Sequence, residues 1–156
     1  MRHHASERVL LSYGVGKRRR PVDQAVINVW AVLAAVVVKQ TLGFLWYSPV
    51  LFGRTFLEAS GQLGVDLRPR MLRAVVGDIA GALVMSLALA HVASFAGAQG
   101  PLFGALLGLI CWVGFVAPAS SAPTLFEQRP LKLWALQNGY MALSLAAMGA
   151  ILAGWR

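Results

Sequence analysis

The sequence predicts an all-α integral membrane protein, in which four transmembrane helices form a compact bundle. Of its 156 residues, 58% are hydrophobic and only 13% are charged, whereas a soluble domain carries about 25% charged residues. The hydrophobic residues also fall into four runs, at about residues 26–47, 71–95, 102–117 and 133–155. A helix of about 20 apolar residues crosses a bilayer, so each run is a candidate span.

The charge of the chain is strongly positive, at +8, and its basic residues flank the apolar runs. This arrangement suits anionic lipid headgroups, and we expect membrane lipids and no nucleic acid as partners. Residues 1–24 are predicted to be a basic flexible tail, followed by the membrane domain at 25–156. With the tail present, the positive-inside rule places both termini in the cytoplasm, and without it the orientation reverses.

The first span carries polar residues on one helical stripe that we expect to face protein rather than lipid. The stripe consists of Asn28, Ala35, Lys39 and Trp46. After the span, the loop is predicted to form a short interfacial helix around Phe52, Phe56 and Leu57.

The later spans carry small residues at the spacing that lets helices approach closely. These are Gly77 with Gly81, Gly104 with Gly108, and a ridge of Ala142, Ala146, Ala150 and Gly154. Pro118 and Pro123 are predicted to break or kink the third span near residue 117, with Ser120 and Ser121 bonding freed backbone groups. The similar segments GFLWYSP and GFVAP leave open a duplicated two-helix hairpin.

Lys39 and Asp78 are the sharpest candidates for a functional site, because ionisable residues are rare inside spans. One interpretation is a coupling or substrate-binding pair in a transporter. The other is a structural pair near the headgroups, with Lys39 snorkelling and Asp78 reaching Arg73 or water. Asn28, Asn138 and Tyr140, together with Gln137, would either line a small pocket or form hydrogen bonds between helices.

No residue pattern in the chain predicts catalysis. The sequence has no G-x-S-x-G, phosphate-loop or H-E-x-x-H motif, and Cys111 is the single cysteine. We therefore expect no enzyme activity, no catalytic residue, no metal site and no cofactor.

Several motifs resemble an uncharacterised family of small four-span membrane proteins, catalogued as domain of unknown function 1761. The resemblance runs from Asn28 to the C-terminus, through GFLWYSP, LFGRTF, WVGFVAP and NGY. It is most specific at Gly43, Trp46, Tyr47, Pro49, Phe52 and Gly53. The family brings no known activity, substrate or cofactor. Lys39 stands where the family pattern has an apolar or small residue.

Two functions remain open at this point. The first is a non-enzymatic structural or assembly partner in the membrane. The alternative is a small oligomeric transporter or channel-like protein that uses Lys39 and Asp78 in a polar stripe, since four short spans enclose little cavity alone. A homo-oligomer fits both, the small-molecule substrate is unknown, and the family resemblance implies a bacterial inner membrane.

Overall fold

The computed structural model describes residues 27–155, and this part of the chain is helical with no strand. Helix α1 runs over Val29–Trp46, the short α2 over Gly53–Ala59, and α3 over Arg68–Phe95. Helix α4 covers Pro101–Cys111, a π-helical turn follows at Trp112–Val116, α5 covers Ala117–Phe126, and α6 covers Leu131–Gly154. The basic tail predicted for residues 1–24 lies outside the described residues.

Within the described residues, four helical segments are long and apolar enough to cross a membrane, as the sequence predicts. They are α1, α3, the continuous segment Pro101–Phe126, and α6. Large apolar side chains on their outward faces are exposed, including Trp30, Phe44, Phe103 and Phe115. A soluble protein rarely exposes so much contiguous apolar surface, so this exterior is suited to lipid.

Sequence signals account for the ends of the first two spans. The side chain of Asn28 caps α1 by accepting hydrogen bonds from the backbone N–H groups of Trp30 and Ala31. Helix α3 has a proline in its first turn, where the missing N–H costs no helical hydrogen bond. The short helix predicted after the first span is α2.

The predicted end of the third span near residue 117 is wrong, because the helix continues to Phe126. Pro118 follows the π-helical turn at Trp112–Val116. A π turn shifts the hydrogen-bond register by one residue, so it accommodates a proline that would disrupt a regular α-helix. The hydroxyls of Ser120 and Ser121 donate to the carbonyls of Ala117 and Pro118. The segment GFVAP therefore continues its helix, whereas GFLWYSP ends one.

The core lies between α1, α3 and α6, and α1 runs antiparallel to the other two. Its buried members are Ala31, Val32, Ala35, Leu89, Ala90, Leu145, Met148 and Leu152. Helix α4 packs on α6 beside this core through glycines. A Cβ atom at Gly104 would overlap the carbonyl oxygen of Gly149, and one at Gly108 would overlap that of Leu145. This face of α6 is centred on Leu145, Gly149 and Ala153, next to the predicted ridge.

Candidate functional site

Lys39 and Asp78 form an ion pair that joins α1 to α3. The ammonium nitrogen of Lys39 lies 2.8 Å from Oδ1 and 2.9 Å from Oδ2 of Asp78. The side-chain amide of Gln40 donates to Oδ2 at 2.9 Å. Lys39 is 1% exposed, whereas the Asp78 side chain is 49% exposed. The pair is therefore asymmetric, with a fully enclosed cation and an anion that faces outward.

The depth of the pair follows from helix geometry. Lys39 precedes Trp46, the last residue of α1, by seven residues, which is about 10 Å along the axis. Asp78 lies ten residues, or about 15 Å, from the start of α3. Lys39 is enclosed and does not snorkel to the surface, and Asp78 pairs with Lys39 instead of Arg73. The exposed half of the Asp78 side chain agrees with the contact to water in the structural interpretation.

Tyr140 brings a third helix, α6, into contact with Lys39. The ammonium of Lys39 stands 5.5 Å from the centre of the Tyr140 ring, within range of a cation–π attraction. The Tyr140 hydroxyl donates to the backbone carbonyl of Lys39 at 3.3 Å. Gly43 makes room for this ring, because a Cβ atom there would lie 3.0 Å from the hydroxyl oxygen.

A cleft of about 360 Å³ opens beside the ion pair, between the end of α1 and the start of α3. Its walls are mostly apolar, and its polar groups include Gln40, Tyr47, Asp78 and Tyr140. The Tyr47 ring packs edge-on against Phe56 and Tyr140. Burial, then Tyr140 and Asp78, raise the pKa of Tyr47 from 10.0 to about 12. The phenol is therefore a neutral hydrogen-bond donor at ordinary pH.

Asn138 organises a second polar cluster, between α6 and the proline-containing third span. Its side-chain oxygen accepts a hydrogen bond from the indole N–H of Trp112 at 3.3 Å. Its amide nitrogen donates to the Ser120 hydroxyl at 2.9 Å and to the Trp134 carbonyl at 3.1 Å. Asn138 is 3% exposed, so these bonds offset its burial. A smaller cleft of about 280 Å³ separates this cluster from Tyr47 and Tyr140, and the exposed Gln137 also lines it.

Asn28 does not join the other candidate residues. It caps α1 and its amide nitrogen donates to the Trp155 carbonyl at 3.3 Å. Eleven residues, or about 16 Å of helix, separate it from Lys39. The predicted stripe does face protein, because Ala35 and Lys39 are both buried.

The residues that carry the family resemblance build the corner that frames the cleft. Trp46 packs on Phe52 at a ring distance of 4.7 Å, and its indole N–H donates to the Leu136 carbonyl at 3.2 Å. Pro49 lies in the turn after α1. Gly53 closes this turn, because a Cβ atom there would overlap the backbone of Tyr47 and Ser48. This corner fixes the position of Tyr47, and these residues support the site.

The two polar clusters also contain Gln40, Trp112 and Ser120, which the sequence patterns did not predict as site residues. Gln40 is a polar residue next to Lys39 within a span, so its position in the sequence could have identified it as a member of the site. Trp112 and Ser120 reach Asn138 because the helix continues past Pro118. The sequence predicted a break or kink there, because proline disrupts a regular α-helix. Within residues 27–155, no three His, Cys, Asp or Glu side chains are grouped to hold a metal ion.

The fold and site define a multi-pass membrane protein, whose residues 27–155 form four candidate spans joined by an ion pair between the first two. Residues 30–153 match a family described as "Protein of unknown function (DUF1761)". The chain belongs to this family, as the resemblance in its motifs indicated. A search of curated proteins gave no match, and neither did a search of solved structures.

Proposed function

We propose that this protein is a non-enzymatic structural or assembly partner for other membrane helices. The observation that carries the proposal is a buried face of α1, which we call the dry stripe. It is formed by Ala31, Val32, Ala35 and Lys39, which are each at most 2% exposed. A transporter or channel needs a wet path along its span. Along the dry stripe, packed side chains of α1, α3 and α6 occupy the space that such a water-filled path would need.

The ion pair supports the same function, because it acts as a clamp. The Lys39 ammonium is held by both oxygens of Asp78 and by the face of Tyr140, so α1, α3 and α6 are fixed to one another at one level. A charge that took part in transport would have to exchange partners. Leaving the ammonium unpaired in a dry site would be costly.

Thiol accessibility along α1 tests the dry stripe. In a Cys111→Ala background, a cysteine replaces Val32 in the stripe, and a membrane-impermeant maleimide is supplied on both sides of the membrane. Leu33→Cys faces outward and is the lipid-facing control, while Gln62→Cys in the exposed loop is the positive control. We expect labelling at Gln62→Cys alone. Labelling of Val32→Cys at the rate of Gln62→Cys would overturn the proposal.

A small oligomeric transporter or channel-like protein is the second candidate, and the half-exposed carboxylate of Asp78 favours it. A carboxylate that faces a cleft inside a span is a typical substrate or ion contact. Purified protein in liposomes, assayed for proton and cation flux, separates the two functions. Flux that Lys39→Met abolishes would support transport, and no flux above empty liposomes would support the assembly function.

We also infer a location in a bacterial inner membrane, and this inference rests on the family resemblance. Fractionation of cells that express the tagged protein tests it. The expected result is recovery with inner-membrane markers, and recovery with outer-membrane markers would contradict it.

A further inference from the structure

The outward face of α3 carries a regular row of mostly small, exposed residues. These residues alternate in steps of three and four, and we call them the α3 seam: Ala74, Gly77, Gly81, Val84, Ala88 and His91. The residues that pack into the bundle lie on the opposite face of the helix, at Ala82, Ser86, Leu89 and Ala93. A Cβ atom added at Gly77 or Gly81 would meet nothing within 4 Å. The seam is therefore unpartnered in the described part of the chain.

The spacing of the seam is that of a left-handed helix pair. Ala74, Gly81 and Ala88 are seven residues apart, and Gly77, Val84 and His91 follow the same period. A heptad repeat keeps one face of a helix against its partner over several turns. Helices paired in this left-handed way in membranes cross at about +20°, and small residues at the contact let their backbones approach closely.

Two charged residues flank the seam at the positions that would meet across such a pair. In heptad terms, with Ala74 at an a position, Arg73 is a g residue and Asp78 is the following e residue. In a parallel pair, a g residue faces the e residue five positions further on in the other helix, and such contacts set partner choice and orientation. Arg73 is exposed and has no ion-pair partner among residues 27–155.

We propose that the occupant of the seam is a second copy of this chain, in a parallel two-fold dimer. Arg73 of each copy would reach the exposed side of Asp78 in the other. The contact is self-complementary, because one rotation makes both ion pairs. Copies that insert in the same orientation can only present their α3 helices in parallel. Arg70 continues the seam in the first turn of α3, where its long side chain can reach lipid phosphates.

This dimer rests on the proposed assembly function and names its partner. It also gives the half-exposed Asp78 a second role. The carboxylate binds Lys39 within its own chain and would bind the guanidinium of the second copy on its exposed side. The ion pair would then connect the bundle interior to the dimer contact.

Disulfide trapping in native membranes tests the dimer with the full chain. In the Cys111→Ala background, single cysteines replace Ala74, Ala88 or Ile79, and copper phenanthroline is the oxidant. Ile79 is also exposed but lies opposite the seam, so it is the matched control. We expect dimers at Ala74→Cys and Ala88→Cys, with at least about fivefold less at Ile79→Cys because it faces away from the seam.

Three outcomes of this experiment would overturn the proposal. The first is the absence of a crosslink at both seam positions, and the second is equal crosslinking at Ile79→Cys. The third is capture of a different protein in place of a second copy. An antiparallel pair would also fail the test, because it would bring Ala74 of one copy to Ala88 of the other and self-crosslink neither.

Charge reversal tests the register. Arg73→Glu places two carboxylates together at both symmetric contacts, and we expect about tenfold less crosslinking through Ala88→Cys. Arg68→Glu makes the same change in the same turn region but off the seam, and it should leave crosslinking unchanged. An Arg73→Glu protein that crosslinks like its parent would overturn the proposed dimer.

The two proposals fail in different assays. Labelling of Val32→Cys would reject the dry bundle, whereas a missing seam crosslink would reject the dimer with the bundle function intact.

Discussion

Helices α4 and α6 meet through glycines, whereas α1 and α3 meet through a buried core at one end and an ion pair beside an open cleft at the other. At the first contact, the backbones touch at Gly104 and Gly149 with no room for a methyl group. At the second, Asp78 keeps half of its side chain exposed. Glycine and alanine, which carry no polar side-chain group, form the first contact, so it serves packing. The second combines packing with an accessible charge, so it is where binding can occur.

The largest effect is expected from Asp78→Asn, which would leave the Lys39 ammonium without its counter-ion at 1% exposure. Removing one partner of a buried ion pair costs about 3–5 kcal/mol, because the remaining charge stays uncompensated. The free energy of unfolding in mixed micelles, measured by titration with sodium dodecyl sulfate, should fall by that amount. Asp66→Asn, in the exposed loop, is the matched control. A loss below about 1 kcal/mol would mean that another group or water stabilises the Lys39 ammonium in place of Asp78.

Gly104→Ala tests the glycine contact and should cost about 2–3 kcal/mol in the same titration. The added methyl group would overlap the Gly149 carbonyl and the Ala153 side chain, so α4 and α6 must separate. Gly114→Ala is the control, since a Cβ atom there would meet nothing within 4 Å. Equal stability of the two alanine variants would contradict a close backbone contact between α4 and α6.

Lys39→Met removes the other half of the pair and should cost less than Asp78→Asn, about 1–2 kcal/mol. The reason is exposure, because the carboxylate left behind can bind water through the cleft and still accepts the Gln40 amide. The double variant Lys39→Met with Asp78→Asn should be more stable than Asp78→Asn alone, because no charge remains enclosed. Equal losses in the two single variants would show that the asymmetry in exposure has no energetic consequence.

The comparison also shows how far the sequence can predict this site. The rarity of charges in spans pointed to Lys39 and Asp78, and the helical stripe placed Lys39 inside. A stripe gives the face of a helix but not the level, so it grouped Asn28 with residues about 16 Å away. Two Gly-x-x-x-Gly pairs lie within helices, yet Gly104 and Gly108 pack within the chain while Gly77 and Gly81 face outward. Nothing local distinguishes the two pairs, because the difference depends on which helices become neighbours.

The smallest expected effect concerns Tyr47 at the open cleft. Its pKa is raised from 10.0 to about 12 by burial first, then by Tyr140 and Asp78. The folded protein therefore holds the phenolic proton more tightly than the unfolded chain does. The stabilisation is fully present below pH 10, and it is lost as the pH rises from 10 to 12.

Tyr47→Phe removes this titration and should lower the dependence of the melting temperature on pH in that window, with no change of slope between pH 7 and 9. The difference in melting temperature between wild type and variant, followed from pH 9 to 12, is the measurement, and subtraction cancels the other groups that titrate there. A constant difference would mean that the phenol is as solvated in the fold as in the unfolded chain. Water would then reach the Tyr47 phenol freely, although its ring packs against Phe56 and Tyr140. The open cleft and the closed α4–α6 contact would in that case differ even more than the packing of these rings indicates.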